Sequence, residues 1–210
     1  MKKIILLALT LVSVLALNAQ TKYETGMTKA IEKYQVAKSA EDMLAASAMF
    51  ERIADAEKDK WLPYYYAALT NNFASWIDEK ADKDKLAEKS LMLLEKAEIL
   101  DTNNAELYCL RNMIASSQMM VDPMTRWQKY GAQASTALAN AKKADPNNPR
   151  IYYLEAQGIF NTPEAFGGGK KNAKPVFEKA VELFGTFVSP SPLHPNWGKE
   201  DAIAMLKQCE

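Results

Sequence analysis

The chain has 210 residues, 26 basic and 26 acidic side chains, one histidine and two cysteines. That balance excludes the clustered positive field that nucleic acid or an anionic membrane surface requires, and two cysteines are too few for a disulfide scaffold. A single histidine, His194, leaves no His cluster for a metal and no partner set for a nucleophilic triad.

Residues 1–19 read as a secretory signal, because Met1-Lys2-Lys3 precedes the apolar run Ile4 to Leu17 and then Asn18-Ala19-Gln20. The run is shorter than the ~20 residues a spanning helix needs, and no second long apolar run follows. Cleavage is placed after Ala19, where no cysteine stands for lipid attachment. The mature chain is therefore expected to be soluble and exported, most simply to a bacterial periplasm, with no membrane span. Loss of Lys2 and Lys3 leaves 24 basic against 26 acidic residues.

Beyond the leader, Ala, Leu, Met, Lys and Glu dominate long periodic stretches with little glycine, which favours helix. Met27, Ile31 and Tyr34 share one face of a helix over 23–38, and Ser39-Ala40-Glu41-Asp42 reads as a capping-box start for a helix over 40–57 through Met43, Ala46, Phe50 and Ile53. Helices over 62–79 and 83–100 follow. In the second of these, Leu86, Ser90, Leu93, Ala97 and Leu100 form one buried stripe. The spacing then predicts helices over 105–119, 124–143, 149–160 and 172–185. Pro175 fits the last if Asn172 is its cap and the proline lies in the first turn, where its missing amide has no partner to lose. The segment Ser189 to Pro195 carries three prolines and reads as a rigid connector, with Asn196 as a cap for a closing helix over 198–209.

A repeat runs through these elements. Tyr65, Tyr108 and Tyr152 lie 43 and 44 residues apart, and the loops Asp101-Thr102-Asn103-Asn104 and Asp145-Pro146-Asn147-Asn148 precede the second and third of them. A fixed period of this length marks stacked supersecondary units, each unable to bury its apolar face alone. Second helices align as Ala46-Phe50-Ile53, Ser90-Leu94-Ala97, Ala134-Leu138-Ala141 and Ala173-Phe177-Ala180, and Ala141 to Pro146 has the spacing of a small residue to a proline five later. This pattern resembles the second helix of a tetratricopeptide repeat, in an exported bacterial form with long, degenerate repeats. Arg111-Asn112 and Glu155-Ala156 stand where that family has leucine and glycine, and the period exceeds the family's usual one by about ten residues. The resemblance implies an all-α fold: a right-handed stack of antiparallel helical hairpins, an α-solenoid of the tetratricopeptide type, over residues 20–188. Residues 189–210 are then the connector and closing helix of the same domain.

No residue pattern points to catalysis, a cofactor or a metal site. Gly167-Gly168-Gly169-Lys170-Lys171 compares poorly with a phosphate loop, since no glycine stands five before Gly169 and Lys171 replaces the Ser or Thr that would hold a metal. It reads as a flexible turn. Cys109 falls at an apolar helix position and reads as a small buried hydrophobe, whereas Cys209 is either free or ties down the last helix. In the run Tyr64-Tyr65-Tyr66 successive side chains point about 100 degrees apart, so at least one should be partly exposed. The resemblance places first helices on a concave face. The expected partner surface is therefore Tyr64, Tyr65, Tyr108, Arg111, Arg150, Tyr152 and Glu155, receiving a protein or peptide in a non-enzymatic scaffold. The alternative is an accessory protein enclosing a small apolar solute between its hairpins, as in transporter-associated tetratricopeptide proteins.

Overall fold

A computed structural model describes residues 22–210, so the signal reading of residues 1–19 lies outside the described residues. All regular structure among them is helical: α1 over 22–35, α2 Ala40–Ala56, α3 Trp61–Ile77, α4 Lys83–Leu100, α5 Ala105–Met119, α6 Pro123–Arg126, α7 Ala132–Ala144, α8 Pro149–Asn161, α9 Lys170–Thr186 and α10 Lys199–Gln208. Successive long helices pack on one another, α2 on α3, α3 on α4, α4 on α5, α5 on α7 and α8 on α9. Alternate helices also meet, α3 with α5 and α5 with α8, and α10 closes against α9.

Polar caps fix where the helices begin. Ser39 Oγ accepts from the Asp42 amide while the Asp42 carboxylate accepts from the Lys38 amide, so two orphan donors are satisfied at the start of α2. The two matching loops do the same work twice. Asn104 accepts from the Glu106 amide at 2.8 Å and Asn148 from the Arg150 amide at 3.0 Å, each just inside the next helix. Asp101 and Asp145 close the preceding helices with amide bonds to Ala97 and Ala141.

Several helix ends differ from expectation by up to three residues, and at three places the local structure differs as well. The helix read over 124–143 is instead α6, a π-helical run Trp127–Gly131 and α7. Asn172 does not cap α9, which starts after Gly169 and leaves Pro175 inside it; the Asn172 amide donates to the carbonyls of Gly167 and Gly168. The loop before α9 is tightly packed, for a Cβ on Gly168 would stand 2.0 Å from the Thr162 carbonyl oxygen and only glycine permits that approach. Gly198, not Asn196, caps α10, with φ of 99° and room for a Cβ only 3.2 Å from the Phe184 ring.

Candidate functional site

The core is densest around α3, where Trp61-Leu62-Pro63-Tyr64-Tyr65-Tyr66 opens a helix touched by α2, α4 and α5. All three tyrosines of the run are buried, contrary to the expectation that one would reach solvent. Helices on several sides explain this, since the first turns of α3 have no wet face for a ring 100 degrees round to occupy, and exposure on α3 begins only at its far end with Trp76 and Ile77. Tyr64 donates to the Ala54 carbonyl, Tyr66 stacks on Phe50 at 4.9 Å, and Tyr65 Oη accepts from the Trp197 indole at 2.8 Å. Burial raises the Tyr65 and Tyr66 phenols well above their ordinary value, so both stay neutral.

A buried ion pair fixes the connector to this core. Arg150, 1% exposed, donates through Nε to Glu106 at 2.8 Å, and Asn148 donates to the other oxygen of the same carboxylate. The remaining face of the guanidinium donates to the Pro195 carbonyl and lies 5.5 Å from the Trp197 ring and 4.9 Å from that of Phe187. Burial is the largest influence on the Arg150 pKa and lowers it, but the charge and hydrogen bond of Glu106, with Tyr65 and Cys109, together outweigh it, so the pKa is raised and the guanidinium stays charged. Glu106 and Arg150 are 44 residues apart and each is the second residue of its helix, so equivalent places in the repeat carry opposite charges that meet.

Trp197, held from behind in this way, forms one wall of a groove of about 550 Å³. Other walls come from the ends of α1 and α3 and from the start of α2, with Tyr34, Met43, Phe73 and Trp76, while Lys199, Glu200 and Asp201 at the start of α10 add charged groups to the lining. Tyr34 and Phe73 stack nearly parallel, 6.1 Å apart and 8° out of plane, and Trp76 is 44% exposed beneath the Lys83 ammonium at 5.5 Å. Burial, with the Asp201 carboxylate adding to it, raises the Tyr34 phenol. The groove therefore offers flat apolar faces and a neutral hydroxyl. It can take a flat, mostly apolar body by stacking.

The residues expected to bind a partner do not converge on this groove. Tyr64, Tyr65 and Arg150 are core residues, which removes them from any surface. Arg111 is paired with Glu98 at 2.9 Å beside half-buried Tyr108, and Lys142 bridges Glu155 at 2.7 Å while covering the Tyr152 ring. None of these seven lines the groove. Of its walls, Tyr34 and Met43 stood in the sequence as apolar helix positions, and Trp197 lies between the proline-rich connector and the closing helix.

Two further expectations can be placed. The amides of Gly167, Gly168 and Gly169 already donate to carbonyls of Glu164, Pro163 and Ile159, so the glycine turn holds the loop together and offers no cradle for an anion. His194 shares a proton with Ser191 Oγ at 2.7 Å and meets the Trp61 ring edge-on at 5.7 Å, and its partial burial lowers the imidazole pKa. Both cysteines are free, with Cys109 in the core. Among the described residues no helix is long and apolar enough to cross a membrane.

An all-helical fold with a solvent-open, ring-walled groove defines a binding protein in its general class. The chain resembles the HusA haemophore from Porphyromonas gingivalis, at 36% sequence identity over 90% of this chain and 92% of that one, with a TM-score of 0.82. This chain belongs to the family of that haemophore. No family model and no curated relative matches it.

Proposed function

We propose that the mature chain is an exported, non-enzymatic carrier that holds a planar apolar molecule of the haem class in the groove between α1, α3 and α10. The observation that carries this reading is the facing set of Tyr34, Phe73, Trp76 and Trp197 around a groove of about 550 Å³, a size within the ordinary range for small-molecule sites. A related haemophore over nearly the whole chain supports it. The small-ligand reading thereby displaces the protein scaffold as the leading one for this groove. Export by the leader is part of the proposal, as is the tetratricopeptide-like stack, for which the matching Asn104 and Asn148 caps and the Glu106 to Arg150 pairing are the support.

The lining has no histidine, and His194 is occupied by Ser191 elsewhere. Retention therefore relies on ring stacking and burial, with Tyr34, Met43, Gln35, Asn196, Glu200 and Asp201 as the oxygen- and sulfur-bearing side chains of the lining. Titration of the mature chain with haemin and with metal-free protoporphyrin, followed by Soret absorbance and tryptophan quenching, tests the proposal. Both ligands are expected to saturate one site. Trp76→Ala should weaken each by about tenfold, on the scale of one lost aromatic contact with its buried area. Absence of saturable binding, or an affinity indifferent to Trp76, overturns the reading.

A further inference from the structure

A second cleft, of about 460 Å³, lies on another part of the molecule between α4 and the turn that carries α6 and the π-helical run. One wall is a stripe on α4: Glu88, then Leu91 and Met92, then Glu95. Residues seven apart on a helix share a face and are separated by about 10 Å along the axis, so the stripe reads acid, apolar, acid. The opposite wall is Arg126 and Tyr130. Arg126 is consumed there, since both its terminal nitrogens donate to Asp84 and one also donates to the Gln118 carbonyl. Glu88 and Glu95 make no ion pair among the described residues.

The segment that carries Arg126 and Tyr130 exposes several large apolar side chains. Met124 is 86% exposed and Trp127 59%, with Met92, Met120 and Val121 also in water. The π-helical turns set this arrangement, for the run Trp127–Gly131 keeps Arg126 and Tyr130 half-buried while Trp127 projects outward. Such turns gather at functional positions, and an exposed Met and Trp set beside a groove is a common form of adaptable protein contact.

We infer that this cleft is a docking surface for a protein partner that presents a helix with two basic residues seven apart and apolar residues between them. The argument is complementarity of charge and spacing. Two carboxylates without an ion pair flank the apolar pair Leu91 and Met92 on α4, and an unbranched thioether such as that of Met92 adapts to side chains laid against it. The cleft shares no lining residue with the aromatic groove, so the inference stands apart from the haem-class reading.

The test uses the mature chain and two 18-residue alanine-based helical peptides. One carries lysines seven apart with leucines three and four after the first lysine, and the other replaces the lysines by glutamate. Calorimetric titration should show the lysine peptide binding at least about tenfold more tightly, in line with the cost of like-charge juxtaposition. The doubly reversed variant Glu88→Lys/Glu95→Lys should invert that preference while leaving haemin binding unchanged, which also shows that it folds. Equal binding of the two peptides, or a preference that survives the reversal, overturns the proposal. So does a change of sedimentation mass on reversal, which would assign the face to a second copy of this chain.

Discussion

The two clefts of this molecule are built in opposite ways. The cleft on α4 draws its acidic wall from one helix, within eight consecutive residues, and its character is a property of that stripe. The aromatic groove assembles α1, α2, α3 and the start of α10, elements spread from Tyr34 to Asp201, and its wall at Trp197 depends on a distant arginine that holds the connector and on the Tyr65 hydroxyl. A locally coded surface survives local change. A surface assembled from afar fails when its buried anchor fails.

Removing that anchor gives the largest effect. Arg150→Met strands the Glu106 carboxylate in the core, and loss of one partner of a buried pair costs about 3–5 kcal/mol, which chemical denaturation will report. Ligand binding at the aromatic groove should disappear with it, because Trp197 loses both its cation and its tether. The double variant Glu106→Leu/Arg150→Met should recover much of the stability, since no charge is left unpaired, but not the groove. If the double variant binds haemin as the parent does, the connector is positioned by something other than this pair.

A gentler change isolates one contact. Tyr65→Phe removes the hydroxyl that accepts from the Trp197 indole and leaves the ring packing in place, so about 0.5–1.5 kcal/mol should be lost and the affinity at the aromatic groove should fall while peptide binding at the α4 cleft stays the same. Equal loss at both sites would mean that the two clefts are coupled through the core.

The smallest effect concerns pH. Partial burial lowers the His194 pKa in the folded state, so the unfolded chain binds the proton first as pH falls below about 6.5. Stability should therefore decline as pH drops through that value and level off below the folded pKa. His194→Gln should flatten this part of the melting-temperature profile without changing stability above it by more than a surface substitution does. A slope that persists in the variant assigns the proton to another group.

Much of the scaffold was legible in the chain. Helix positions followed from the spacing of Leu86, Ser90, Leu93 and Ala97, and the repeated Asp-x-Asn-Asn loops marked where α5 and α8 begin, although the capping role of Asn104 and Asn148 is visible only in the structure. The miss at Asn172 lies beside a tightly packed loop, where a backbone approach that only glycine tolerates at Gly168 is invisible in a propensity argument. The miss at Tyr64, Tyr65 and Tyr66 was of another kind. An angular argument counts how many faces a helix has, but it does not say how many of them neighbours will cover.

By itself the sequence determined an all-helical chain with a repeating unit, because helix periodicity, capping side chains and small residues at close approaches act over four or seven residues. Only the tertiary structure decided that Arg150 is a buried anchor and that the groove lies between α3 and α10. Those outcomes depend on charges 44 residues apart and an indole 132 residues from its acceptor coming within hydrogen-bond reach, and short-range spacing carries no information about such distances.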